Sequence, residues 1–296
     1  MAASVSGRHH RTVRQVAIVF VTVAMFSIGT TASSENDYVG ADTCADCHED
    51  IAKAFATTVH GRGTVKAWGG ASTCEACHGP GQAHVDSVGE IDLIVSGTHD
   101  KGTAQCVNCH SVTTTTHWQA STHDEFGVQC ADCHSVHQPW AAEGARRNED
   151  ITQDCLSCHQ DMRKHLYQRS SHPLQRGQMS CVSCHDPHGS AAEAAMAAIT
   201  PNDKCYECHA EKRGPFLFEH QPVREDCSTC HDPHGSNQTM MLQTSAPRLC
   251  QSCHLFGHHQ TVPGEPTQVW NQNRSCTNCH YRIHGSNHPS GVVFLR

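Results

Sequence analysis

Residues 181–190 read CVSCHDPHGS and residues 227–236 read CSTCHDPHGS. Each string opens with two cysteines three positions apart and a histidine directly behind the second. All 20 cysteines of the 296-residue chain fall in such groups. The ten are Cys44/Cys47/His48, Cys74/Cys77/His78, Cys106/Cys109/His110, Cys130/Cys133/His134, Cys155/Cys158/His159, Cys181/Cys184/His185, Cys205/Cys208/His209, Cys227/Cys230/His231, Cys250/Cys253/His254 and Cys276/Cys279/His280. Two thiols at this spacing can add across the two vinyl groups on one porphyrin edge, while the adjacent histidine turns under the ring to bind iron. This is the c-type haem attachment motif. A disulfide framework gives no reason for a histidine after every second cysteine, and zinc sites built from C-x-x-C pairs do not require it. The motifs therefore predict ten covalent haems.

The chain lacks the apolar residues for a large aliphatic core: aromatics are 5% and all hydrophobic residues, cysteine included, 37%. A chain of this length normally buries one. Ten porphyrins supply the apolar mass instead. The expected fold is a multihaem cytochrome c of short α-helices and loops wrapped on haems, with little or no β-structure. Alanine and long side chains favour short helices at 190–199 and near 161–167.

The motifs start 22 to 32 residues apart, leaving no haem-free domain. A longer unit overlies them: a motif, a histidine 11 to 13 residues on, a second motif, then a closely following histidine. Five such two-haem units cover the chain, and the last is irregular. The tripeptide His-Gly-Ser follows three motifs, at 188–190, 234–236 and 284–286.

The second axial ligand separates a carrier from an enzyme, because an open iron site binds substrate. Five methionines remain beyond residue 34, too few for ten irons, whereas fifteen histidines lie outside the motifs and the first 34 residues. The repeat nominates His60, His84, His123, His137, His172, His188, His220, His234 and His284 as distal ligands, with His258 preferred over His259 or His288 for the tenth. His99, His117 and His165 have no consistent place in the unit and are the expected spares. Three residues of chain span about 10 Å, barely enough to round a porphyrin edge, so His188 is expected to ligate a haem other than that of Cys181/Cys184. Bis-histidine ligation keeps potentials low relative to histidine/methionine. A reductase needs an open iron; no C-x-x-C-K variant is present and distal histidines suffice.

Residues 1–34 read as a cleaved export signal: Arg8, Arg11 and Arg14, an apolar run at 16–29, then small residues at 30–32. That run is too short to span a bilayer comfortably, and no later run is long enough. Loss of the three arginines takes the formal charge from -8 to -11, which argues against nucleic acid and anionic lipid as partners.

The segments GADTCADCHEDIAKAF (40–55), CYECHAEKRGPFLFEHQPVREDCSTCHDPHGS (205–236) and CHYRIHGSNHPSG (279–291) carry a more specific signal. Together with ten motifs at these spacings, they resemble the MtrA/DmsE family of periplasmic decahaem c-type cytochromes, which includes the PioA and MtoA types. The resemblance spans essentially the whole chain beyond the leader. It implies an elongated wire of two related pentahaem halves, here 35–175 and 176–296, inserted into an outer-membrane β-barrel partner. It implies electron transfer between periplasm and exterior, with a periplasmic or inner-membrane cytochrome on one side and a surface cytochrome, reductase, metal or ferrous iron on the other. The protein is then an electron carrier, not an enzyme. A soluble periplasmic shuttle is the alternative reading. The short stretch from Ser33 to Thr43 disfavours a PioA-like extension.

Overall fold

Ten short turns of chain organise the structure, one at each motif. A computed structural model describes residues 37–68, 74–95, 102–111, 113–138, 146–254 and 275–295. In every motif the histidine amide donates to the carbonyl of the first cysteine, at 2.8 to 3.1 Å. A single helical turn thus brings residues i, i+3 and i+4 to one side. That is the geometry the attachment chemistry requires of two thiols and one imidazole.

The motifs come in two alternating kinds. The odd-numbered ones lie at the C-terminal ends of helices: Ala41–Cys47, Gly102–Val107, Asn148–Cys158, Pro201–Tyr206 and Ala246–Gln251. The even-numbered ones are single turns: Glu75–His78, Cys130–Cys133, Cys181–Ser183, Cys227–Thr229 and Cys276–Asn278. This alternation is the five-unit repeat of the sequence in three dimensions. The helices start for local reasons where the chain provides them. Thr200 accepts the amide of Asp203 at 3.1 Å with Pro201 in the first turn, the capping arrangement that satisfies an otherwise orphaned donor.

Polar side chains bolt the two halves of a unit together. Glu75, 3% exposed, accepts the amides of Val39, Gly40 and Gly81, each at 2.9 Å. In the second unit Gln129 accepts the amide and hydroxyl of Thr103 at 3.2 and 2.6 Å. Asn148 donates to the Gly177 carbonyl at 2.9 Å in the third. Asn202 in the fourth donates to the carbonyls of Val223 and Arg224 at 3.0 and 3.2 Å and accepts from the Cys227 amide at 2.7 Å. Buried backbone groups need such partners, and no sheet supplies them here.

Among the described residues there is no strand. Isolated bridges clip successive units: Ser170 with Ser236, and Phe218 with Ser286. The His-Gly-Ser tripeptides make these clips. Gly189 and Gly235 have positive φ, 93° and 133°. A Cβ there would lie 2.3 Å from the His117 carbonyl oxygen and 2.5 Å from that of His165. His117 and His165 therefore do have equivalent places in the repeat, contrary to the sequence expectation.

The helix expected over 190–199 is not formed. Glu193–Ala195 is a single tight turn in which Ala194 and Ala195 are left-handed. Its carbonyls are claimed by the neighbouring motif: the Asp186 amide donates to Ala195 at 2.8 Å and the His185 Nδ1 to Ala194 at 2.9 Å. Met240 and Met241 repeat the same geometry beside His231. Tertiary pairing overrides helix propensity at both places. The helical turns near 161–167 are present, as Gln160–Met162 and Arg163–Leu166.

Trp118 and Leu156 are the only buried apolar side chains among the described residues, at 6% and 3% exposed.

Candidate haem-binding centres

The twenty cysteines are free of disulfides, and eighteen of their thiols neighbour one another in a regular order. Within each unit the first cysteines of the two motifs touch: Cys44 with Cys74, Cys106 with Cys130, Cys155 with Cys181, Cys205 with Cys227 and Cys250 with Cys276. Burial, with the partner thiol second, pushes Cys44, Cys106 and Cys250 up to about 11. The thiol–thiol hydrogen bond raises Cys155 and Cys227, and holds Cys181 and Cys205 down at about 7. Between units the second cysteines approach: Cys77 and Cys109, Cys133 and Cys158, Cys184 and Cys208, Cys230 and Cys253. The attachment points thus run in motif order, alternating first-to-first and second-to-second.

Cys47 and Cys279 stand apart from this series. Both are exposed, and they are the second cysteines of the first and last motifs in the sequence. The sequence ranks Cys279 with the other nineteen attachment thiols, and the structure gives it the same local turn. Its amide donates to the Cys276 carbonyl at 3.2 Å, so the backbone of the tenth motif is wound like that of the others.

The histidines pair across the chain. His48 faces His84 with ring centres 6.3 Å apart, His78 faces His137 at 5.7 Å, His134 faces His188 at 5.8 Å, His185 faces His234 at 6.1 Å and His231 faces His284 at 6.2 Å. Likewise His110 meets His60 at 5.9 Å, His159 meets His123 at 6.2 Å and His254 meets His220 at 6.1 Å. An imidazole nitrogen binds a metal at about 2 Å. Two imidazoles on opposite faces of one iron therefore have ring centres roughly 6 Å apart. All eight pairs meet that distance.

The pairing is interlaced. An even motif faces the histidine that follows the motif two further on. An odd motif faces the histidine that follows the motif two earlier. His48 and His84, at the first unit, close the end of the pattern. His188 thus stands opposite His134 and not its own neighbour His185.

Second partners fix which ring nitrogen points inward. His78, His185, His231 and His280 engage the carbonyls of Val95, Ala194, Met240 and Val293 through Nδ1, at 2.6 to 2.9 Å. His84, His123 and His172 do the same to Glu90, Pro187 and Pro233, each at 2.9 Å. An Nδ1–H donated to a carbonyl leaves Nε2 with its lone pair for a metal. Burial is the main cause that lowers the pKa of His60, His134, His137, His220 and His234. Burial also pushes His284 down to about 4. These imidazoles are held neutral, the form that ligates. The donor set fits c-type haem: two thiols, a proximal and a distal imidazole at each complete centre. Among the described residues, no group of three or more His, Cys, Asp or Glu side chains could hold a metal ion alone.

His172 is anchored to Pro233 as His123 is to Pro187, which places it as the counterpart of His123 one unit on. His288 lies in a local turn, its Nδ1 engaged by the hydroxyl and amide of Ser290 at 3.0 and 3.1 Å. His99, His258 and His259 lie outside the described residues. Sequence reasoning missed the rings that back the distal imidazoles: Phe55 against His137, Trp118 against His188 and His165 against His234. A large ring five residues before His60 and His123 was a weak signal for two of them.

The profile of the family described as "Doubled CXXCH motif" matches residues 172–214 and 220–256. The chain is 40% identical over 274 residues to the multiheme cytochrome MtrA of Shewanella baltica (strain OS185), covering 87% of this chain and 81% of that protein. The chain belongs to the MtrA family of multihaem cytochromes. As an MtrA-family member it is an electron-transfer protein and not an enzyme. Its cysteine pairs attach c-type haem covalently, on a fold of short helices and loops. Among the described residues no helix is long and apolar enough to cross a membrane.

Proposed function

We propose that this MtrA-family chain holds ten bis-histidine haems in motif order and carries electrons between the periplasm and the cell exterior through an outer-membrane β-barrel. One observation carries the reading: neighbouring thiols that alternate, first cysteine to first and second to second, from Cys44 to Cys276, combined with imidazole pairs that tie each unit to the next. Bound iron supplies reversible one-electron chemistry. The chain's part is to hold ten such centres close together and closed to substrate. His209 takes His172 as its partner, completing the odd-motif series. His280, on the haem of Cys276/Cys279, takes His258 as its partner, with His259 and His288 as the alternatives.

The leader at 1–34 directs export and is removed, leaving a periplasmic protein embedded in an outer-membrane complex, with 35–175 and 176–296 as its two pentahaem halves. Its partners are the barrel, a periplasmic or inner-membrane cytochrome, and a surface cytochrome or reductase.

The test is purification of the native protein from detergent-solubilised membranes, followed by intact mass and electron paramagnetic resonance. Ten haem additions, an all low-spin spectrum and a co-purifying outer-membrane barrel are expected. Recovery wholly in the soluble periplasmic fraction, with no barrel, would establish the shuttle instead. A substantial high-spin ferric signal would indicate an open iron and a reductase.

A further inference from the structure

The two CHDPHGS strings place an aspartate two residues before a histidine of the even-motif class. Asp186 Oδ1 accepts the His188 amide at 3.0 Å and lies 3.5 Å from the His188 Nδ1. Asp232 Oδ1 accepts the His234 amide at 3.0 Å and lies 3.7 Å from its Nδ1. The same position holds Ser135 before His137 and Arg282 before His284. Because of the interlaced pairing, each aspartate acts on a centre other than that of its own motif. Asp186 sits behind the imidazole facing His134, and Asp232 behind the one facing His185. Beyond His134, Arg146 and Asp154 pair with each other, so their charges largely cancel there.

We infer that Asp186 and Asp232 set a low-potential step in the middle of the path, at the centres of His134/His188 and His185/His234, relative to those of His78/His137 and His231/His284. A carboxylate behind a ligand's Nδ1 stabilises the ferric state by Coulomb attraction and makes the imidazole a stronger donor. A neutral serine or a cationic arginine at that place does not. The inference rests on bis-histidine ligation, and its test separates the two.

Asp186→Asn and Asp232→Asn remove the charge and keep the oxygen that accepts the backbone amide, so the turn persists. Spectroelectrochemical titration of the purified holoprotein, with electron paramagnetic resonance on the same samples, reads the outcome. Each variant is expected to raise the potential of one centre by about tenfold in its reduction equilibrium, or about 59 mV for one electron, with every iron still low-spin. Ser135→Asp is expected to lower the centre of His78/His137. Unchanged potentials in low-spin Asn variants would overturn the inference. So would a high-spin signal in those variants, since it would make the aspartates purely structural. His234→Ala is the control: a new high-spin iron supports ligation independently of any aspartate, and its absence would remove the ligation reading and this inference together.

Discussion

The imidazoles of His134 and His188 face each other with ring centres 5.8 Å apart and planes 18° apart. The cysteines beside them belong to different motifs, Cys130/Cys133 and Cys181/Cys184. His188 therefore faces the motif histidine two motifs before its own, and on the proposed bis-histidine reading each iron of that class would tie neighbouring units.

His188→Ala is expected to turn one iron high-spin, and that iron is the one attached at Cys130/Cys133. Electron paramagnetic resonance reads the spin state. The assignment follows from combining the change with Cys130→Ala/Cys133→Ala, which should abolish the new signal. A signal that vanishes instead with Cys181→Ala/Cys184→Ala would reverse the pairing.

Gly235 has φ of 133°, and a Cβ there would sit 2.5 Å from the His165 carbonyl oxygen. Gly235→Ala should cost about 1–3 kcal/mol through backbone strain and that clash. Gly63, inside the helix Val59–Trp68 with nothing within 4 Å of its Cβ position, should behave oppositely. Gly63→Ala should add about 0.5–1 kcal/mol from helix propensity. Denaturant melts followed by haem absorbance compare the two.

Asn202 is 6% exposed and joins three backbone groups of the even-motif segment of its unit to the odd-motif helix. Asn202→Ala leaves the Cys227 amide and two carbonyls without it, for an expected loss of about 2–4 kcal/mol. Asn202→Asp keeps one acceptor but places a carboxylate against two carbonyls, and should be no better. Chemical denaturation measures both. A melt like that of the unsubstituted protein would show that the bolt is not needed.

Ala194 is left-handed, with φ 53° and ψ 29°. A Cβ in that region costs roughly 1–2 kcal/mol, of which glycine's greater unfolded freedom takes back part. Ala194→Gly should stabilise by about 0.5–1 kcal/mol. Ala194→Val, β-branched, should destabilise by more than that. Thermal unfolding of the holoprotein orders the three.

The attachment residues were legible in the chain itself because the chemistry is local. Two thiols and an imidazole must share one helical turn, so their spacing is fixed at C-x-x-C-H, and the hydrogen bond from His185 to Cys181 is that spacing made physical. The distal candidates were legible as residues but not as pairs. Their number and their places in the repeat follow from the sequence, whereas His60 meeting His110, or His137 meeting His78, depends on how units stack. The helix expected at 190–199 failed for the same reason: propensity is a property of a segment, and Ala194 answers to His185 in another part of the unit.

By itself, then, the sequence determined the haem chemistry, the five-unit repeat and the absence of a large aliphatic core, because each is a matter of composition or of contacts within a few residues. Only the tertiary structure decided which imidazoles face each other, why His-Gly-Ser recurs, and why His117 and His165 hold equivalent positions. Those facts depend on contacts between residues tens of positions apart, such as Gly235 under the carbonyl of His165. Spacing along a chain carries no information about which turn of it comes to rest against another.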